Sequence, residues 1–298
     1  MTGEEYREIS RKYKVLVENE LDRIRNCEAL SIQPKLRDAM FYSLEAGGKR
    51  IRPCLLLAVC EQFGGDVEKA LPFACGLEMI HTYSLIHDDL PCMDDDDMRR
   101  GRPSNHKVFG EAMAVLAGDG LLSYAFETML NAAVKNGDTG SLLTAGEIAR
   151  LAGAAGMVTG QAADIEFENS ENKTEAMLAF IHRHKTADML EAAVVSGALI
   201  AGADGGDIEK LRRYSEKMGL LFQITDDLLD YTGDPALMGK TLHKDEAQGK
   251  LTYVTLLGLE GAKEAAKATA EEAKAQLEGL RDPGFLAAVI DNMLERSN

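Results

Sequence analysis

Leu220-Leu221-Phe222-Gln223-Ile224-Thr225-Asp226-Asp227-Leu228-Leu229-Asp230 sets three carboxylates directly behind an apolar run. On a helix, Asp226 and Asp230 stand four apart and Asp227 and Asp230 three apart, so their side chains share one face. Gln223 lies one turn earlier. Like charges at that spacing destabilise a bare helix. Carboxylates beside core-facing residues also lose hydration. A cation between them relieves both costs. A second cluster lies far upstream: Tyr83-Ser84-Leu85-Ile86-His87-Asp88-Asp89-Leu90-Pro91-Cys92-Met93-Asp94, running on as Asp95-Asp96-Asp97. A solvated charge run accounts for Asp95 to Asp97. It accounts poorly for two spaced clusters flanked by apolar residues. Hard oxygen ligands suit Mg2+, which takes one or two carboxylates per ion and completes its shell with water and phosphate oxygens. The pattern points to a magnesium-bound phosphate or diphosphate.

Outward from these clusters, helical periodicity dominates and alternating strand patterns are nearly absent. Ala, Leu, Met, Glu and Lys are plentiful, and the 7 prolines are few. The spacing predicts helices over 3–26, 34–46, 49–63, 67–92, 107–135, 140–167, 174–202, 207–231, 248–259, 260–279 and 284–295. Breaks are expected at Gly64-Gly65, Asn136-Gly137-Asp138, Gly205-Gly206 and Gly233-Asp234-Pro235. No linker, composition shift or repeat divides the chain, so its 298 residues read as one all-α domain. The small residues from Thr144 to Ala163 fit either an internal buried helix or one packed on a partner subunit.

Composition excludes several classes. A net charge of -16 disfavours nucleic acid and anionic membrane. No apolar run is long enough to span a bilayer, and the acidic start, Met1-Thr2-Gly3-Glu4-Glu5, has no signal-peptide character. The five cysteines are odd in number with no Cys-x-x-Cys pair, so neither zinc nor a disulfide framework is implied. Buried free thiols in a reducing cytosol are the expectation.

Within the first cluster, Asp88 and Asp94 are six apart and do not align on a regular helix. Pro91 between them removes a backbone hydrogen bond, so the helix is expected to loosen there. His81 is two turns before Asp88, about 10 Å down the same stripe. Gly47-Gly48-Lys49-Arg50-Ile51-Arg52-Pro53 is a glycine-led basic turn before a helix, a plausible phosphate cradle with three cations. Arg99-Arg100-Gly101-Arg102 follows the first cluster, and Lys185, Lys240 and Lys250 are further basic candidates. Metal and basic sites together match two diphosphates, one held through metal and one directly by cations.

These residues resemble the signatures of the trans-polyprenyl diphosphate synthase family: Gly47 to Pro53, His81 to Gly101, Gly160-Gln161-Ala162-Ala163-Asp164, Lys185-Thr186, and Phe222 to Asp230. The resemblance implies an all-α isoprenoid-synthase bundle around a central cavity, a single polyprenyl synthase domain over 1–298, and a cytoplasmic homodimer. It implies magnesium, three ions per active site with Mn2+ as a substitute. The principal metal ligands would be Asp88, Asp94 and Asp226, supported by Asp89, Asp227 and Asp230. Arg99, Lys185 and Lys240 would grip an allylic diphosphate. Lys49, Arg52, His81 and Arg100 would hold isopentenyl diphosphate, with Lys250 among the substrate-binding residues. Thr186 and Gln223 would face the allylic cation, and Phe222 the reacting chains. Tyr83, five residues before Asp88, and Ser84 would set product length. A bulky aromatic there implies farnesyl diphosphate, whereas the stretch Asn105 to Glu111 looks like plastid geranylgeranyl synthases. The family commonly has glycine where Ala187 and His243 stand, and proline where Val254 stands. A class I terpene cyclase is the weaker reading, because it needs no second diphosphate site. A non-catalytic partner subunit could lose ligands that this chain keeps. A calcium-binding acidic protein fails on ligand spacing from Asp94 to Gly101.

Overall fold

The structure, a computed structural model, describes residues 1–27, 31–168, 174–232 and 251–295. Among the described residues the chain is all-α apart from one short hairpin. They form two compact units: Ile9–Ala149 with Ser196–Gly202, and Met1–Glu8 with Arg150–Val195 and Ala203–Asn298.

The first unit contains most of α1 (Gly3–Arg25), then α2 (Pro34–Leu44), α3 (Ile51–Gln62) and α4 (Val67–Asp88). It continues through the hairpin β1 (Met98–Arg99) and β2 (Arg102–Pro103), α5 (Asn105–Phe109), α6 (Glu111–Asn136) and most of α7 (Thr139–Ala152). Helix α4 is apolar nearly all round and is buried accordingly. Asp66 caps it by accepting from the Glu68 N–H at 3.0 Å. It packs on α6 where two glycines remove side chains. A Cβ on Gly76 would come within 2.7 Å of Met129, and one on Gly118 within 2.1 Å of the His87 ring. This close approach fixes the end of α4 that carries the first carboxylate cluster.

The second unit contains α8 (Met157–Glu168), α9 (Glu175–Ile181), a π-helical turn over His182–Ala187, the start of α10 (Asp188–Ala201) and α11 (Gly205–Thr232). It ends with α12 (Tyr253–Ala275) and α13 (Gly284–Glu295). Helix α11 packs on α12, on α13 and on the π-turn. A buried Tyr214 hydroxyl donates to the Leu286 carbonyl at 2.9 Å, tying α11 to α13. Glu191 is buried and bound by Arg183 and Arg212, each at 2.7 Å. Two guanidiniums on one carboxylate offset its desolvation.

Most predicted helices appear, with four corrections. The helix expected over 67–92 stops at Asp88, three residues before Pro91. The 107–135 helix is two, α5 and α6, split at Gly110 (φ +86°). The 140–167 helix is also two, separated by residues 153–156. The break before α11 falls at Gly202 (φ +72°), whereas Gly205 already belongs to the helix. The boundary expected between the helices at 248–259 and 260–279 appears inside α12 as a kink at Gly258, φ +71°. The break expected at Gly233-Asp234-Pro235 lies outside the described residues. The five thiols are free, as expected, but only Cys54, Cys60 and Cys75 are buried. Cys92 is exposed on the turn after α4.

Candidate active site

The first carboxylate cluster is built by the way α4 ends. After Asp88 the chain turns through Leu90 to Met93, and the Asp94 N–H donates back to the Asp88 carbonyl at 2.8 Å. That bond closes the six-residue gap a continuous helix would leave, so Asp88 and Asp94 adjoin. Their donor set is hard carboxylate oxygen on a surface turn, which suits a divalent cation with water and phosphate oxygens in its remaining positions. Asp89 stands apart. It is 2% exposed, and both its oxygens accept from Arg99 Nε, at 2.9 and 3.2 Å. A further bond comes from Arg99 Nη2. Burial raises the Asp89 pKa, against the Arg99 bonds that pull it down.

The basic turn is anchored through Arg50. Arg50, left-handed at φ +52°, turns inward and is 4% exposed. It donates to Glu78 Oε1 and to the Leu44 carbonyl, each at 2.6 Å. Arg50 is therefore structural, and the cradle is left to Lys49 and Arg52. Lys49 is exposed. Arg52, like Arg50, has a buried Nε without a hydrogen-bond partner. An orphaned donor on a cation fits an anion. Burial, offset by Glu78 and reinforced by Arg100, lowers the Arg52 pKa.

The hairpin completes this corner. Arg100 (φ +53°) and Gly101 (φ +74°) are the two residues between β1 and β2, the left-handed pair a two-residue hairpin needs. Arg100 Nη1 donates to the Gly47 carbonyl at 2.5 Å. Its guanidinium lies over Gly48, where a Cβ would come within 2.9 Å of Cζ. Side-chain-free backbone thus brings Arg100 onto the basic turn. His81 is pushed far below the ordinary imidazole range by burial, with Arg52 and Arg100 adding to the effect. It is neutral at pH 7. Arg52 and Arg100, with neutral His81 beside them, form a cationic corner.

Position on α4 sorts the rest. His81, Ser84 and Asp88 follow one stripe, and the Ser84 hydroxyl donates to the His81 carbonyl at 3.0 Å. Thr82, Ile86 and Asp89 follow another, and with Tyr42, Arg99 and Asn105 they line a pocket between α2, α4 and the hairpin. Tyr83 and His87 follow a third, their rings edge to face at 5.7 Å.

In the second unit, Asp226, Asp227 and Asp230 occupy the last turns of α11. Asp226 is exposed, and Asp230 half-buried. Asp227 Oδ2 accepts the Tyr253 N–H at 2.7 Å, fixing the start of α12. Phe222 and Gln223 lie half-buried one turn earlier. Lys185 and Thr186 sit in the π-turn, a widened turn that often marks functional positions. Lys185 Nζ pairs with Asp164 Oδ2 at 2.5 Å. Ala187, where the family commonly has glycine, is met by Gly219 of α11, whose absent side chain leaves room for the methyl. His182, mostly buried, is pushed down to about 4 by burial, with Asp164 opposing and Lys185 reinforcing. Lys240, Lys250 and His243 lie outside the described residues. Asp164, Glu78 and the Asp89–Arg99 pair were not assigned these roles from sequence. Only the acidic residue closing the Gly160–Asp164 stretch offered a signal.

The sequence model of the polyprenyl synthetase family matches residues 33–282. Farnesyl diphosphate synthase of Geobacillus stearothermophilus is 52% identical over 252 residues, 84% of either chain. The chloroplastic geranylgeranyl pyrophosphate synthase of Capsicum annuum is 50% identical over 265 residues, 88% of this chain and 72% of that protein. A geranyltransferase structure from Legionella pneumophila superposes with a TM-score of 0.87 at 32% identity, covering 99% of this chain and 98% of that one. An FPP/GFPP synthase structure from Zymomonas mobilis gives 0.85 at 32%, covering 98% and 100%. Two carboxylate clusters, a cationic corner and these relatives agree: the chain is a prenyltransferase of the polyprenyl synthetase family.

Proposed function

We propose that the chain condenses isopentenyl diphosphate head to tail with dimethylallyl and geranyl diphosphates, and that its product is the fifteen-carbon farnesyl diphosphate. The observation that carries this reading is the pairing, in one compact unit, of the Asp88–Asp94 carboxylate turn with a cationic corner whose Arg52 keeps an orphaned donor. Carboxylates alone would suit a cation, and cations alone an anion. Both together suit two diphosphates held in different ways.

In this reading Asp88, Asp94 and Asp226, with Asp227 and Asp230, hold divalent metal. Bound Mg2+, three ions with Mn2+ as a substitute, supplies Lewis-acid stabilisation of the departing diphosphate. Arg99, Lys185 and Lys240 bind the allylic diphosphate and favour its release. Lys49, Arg52, Arg100 and neutral His81 hold isopentenyl diphosphate without metal, and Lys250 is a further substrate-binding residue. Thr186 and Gln223 present polar atoms to the allylic cation, and Phe222 borders the chains. The isopentenyl double bond attacks that cation, and the released diphosphate takes the proton. One family model spanning 33–282 supports a single polyprenyl synthase domain built from both units. Exposed apolar residues on α6 and α7 support a homodimer. No helix among the described residues is long and apolar enough to cross a membrane, in keeping with a cytoplasmic enzyme.

Tyr83 favours the fifteen-carbon product. The Capsicum annuum relative, 50% identical, favours a second reading with a twenty-carbon product. Incubation with Mg2+, isopentenyl diphosphate and dimethylallyl diphosphate, followed by product sizing, decides. Farnesyl diphosphate is expected. Twenty carbons would select the second reading, and no condensation would overturn both. Asp88→Asn should lower turnover roughly 100-fold or more while the fold persists.

A further inference from the structure

We propose that Asp89 is a positioning residue that orients Arg99 for the allylic diphosphate, and that it is not a ligand of the metal cluster. The inference rests on the reading above of Asp88 and Asp94 as metal ligands.

Three observations carry it. First, the Asp89 carboxylate is committed. Both oxygens face Arg99 Nε, Arg99 Nη2 adds a further bond to Oδ1, and the residue is 2% exposed. Mg2+ keeps near-ideal octahedral geometry and holds several waters. A carboxylate sealed against a guanidinium offers it neither access nor hydration space. Second, Asp89 is turned away from its neighbour. It continues the Thr82–Ile86 stripe that lines the pocket under the hairpin, whereas Asp88 continues the His81–Ser84 stripe. One residue along a helix is about 100° of rotation, so adjacent aspartates face different surroundings. Third, the pair spans the loop that makes the site. Asp89 closes α4 as its C-cap, and Arg99 is the last residue of β1, next to Arg100. Arg99 also reaches Asp96 at 3.5 Å. A bidentate carboxylate–guanidinium pair fixes direction as well as distance. It therefore ties the hairpin to the end of α4 and sets where the remaining Arg99 donors point.

Binding of inorganic pyrophosphate at graded Mg2+ concentrations, followed by calorimetry, separates a ligand from a positioning residue without relying on turnover. The set is the wild-type chain with Asp89→Asn, Asp94→Asn, Arg99→Gln and the Asp89→Asn/Arg99→Gln pair. Losing a ligand, as in Asp94→Asn, should move the Mg2+ midpoint upward by about tenfold or more. Asp89→Asn should leave that midpoint within about twofold and weaken pyrophosphate itself by roughly tenfold, the scale of one charge-assisted hydrogen bond. Arg99→Gln should do the same, and the double variant should be no weaker than Arg99→Gln alone. A Mg2+ midpoint in Asp89→Asn that moves with Asp94→Asn overturns the proposal. Additive losses in the double variant overturn it too. If Asp89→Asn unfolds because Arg99 is left unpaired, the double variant, which removes both charges, carries the same midpoint test. A wild-type chain that binds no pyrophosphate with Mg2+ brings down the reading of the whole site, an outcome distinct from the other two.

Discussion

Neighbouring residues of one type part company in this protein, and the backbone decides which goes where. Arg50 and Arg52 are two apart in one basic turn. Both keep a buried Nε without a hydrogen bond, but the left-handed Arg50 spends its terminal nitrogens on buried Glu78 and the Leu44 carbonyl. Asp88 and Asp89 divide in the same way. The sequence makes these charges legible as a group, because charge is a property of residue type. Their division was not legible, because it depends on a φ angle and a helix end. Tyr83 is the residue on which product length is argued. It is 7% exposed and packs edge to face on His87, which is itself held over Gly118. It stands five residues before Asp88, about 7.5 Å along the helix axis. A product chain anchored at the carboxylate turn must extend beside that wall. Tyr83→Ala should lengthen products from fifteen to twenty or more carbons, read by chromatography of the dephosphorylated alcohols. It should also cost stability, about 3 kcal/mol on the scale of aromatic truncations. An active variant with unchanged products would show that the wall lies elsewhere.

Among elements, the helices were readable and their interruptions only partly so. Pro91 announced that α4 could not run on, and the glycines at 64, 65 and 137 marked true ends. The hairpin was missed because strands of two residues leave no alternation to detect. The π-turn was missed because His182-Arg183-His184-Lys185-Thr186 carries no helix breaker. Its shape is set by packing. Gly160 of α8 lies so close that a Cβ there would sit 2.2 Å from the Lys185 backbone nitrogen. The same contact brings Asp164, one turn on, to Lys185 Nζ. Gly160→Ala should therefore force α8 and the π-turn apart. The expected cost is about 1–3 kcal/mol, the usual range for overpacking. The rise in KM for the allylic substrate should exceed any rise for isopentenyl diphosphate, since Lys185 is assigned to the former. Calorimetric melting and steady-state kinetics with each substrate varied give the two readouts. Equal effects on both KM values would detach the π-turn from allylic binding.

For the whole molecule, charge and exposed apolar surface pull in opposite directions. At a net charge of -16, two copies repel one another at long range. Helix α6 nevertheless exposes Leu116, Leu130 and Val134, the last at 80%, and α7 exposes Leu142 and Leu143. The adjoining Thr144 and Ala145 are buried, so part of the small-residue stretch serves the unit's own core. Exposed large apolar side chains on two successive helices suit a contact with a second copy. Such a contact must draw on burial, because electrostatics opposes it. Burying a leucine contributes about 1.5–3 kcal/mol, and a two-fold interface counts each substitution twice. Leu130→Glu with Val134→Glu should therefore weaken self-association at least about a hundredfold. Light scattering after size exclusion should report twice the 32.4 kDa chain mass for the wild type and the single mass for the variant. Raising salt should tighten the wild-type dimer by screening the repulsion, the reverse of an interface held by ion pairs. A wild-type monomer at micromolar concentration would end the dimer reading, and a variant that stays dimeric would move the interface off this face of α6.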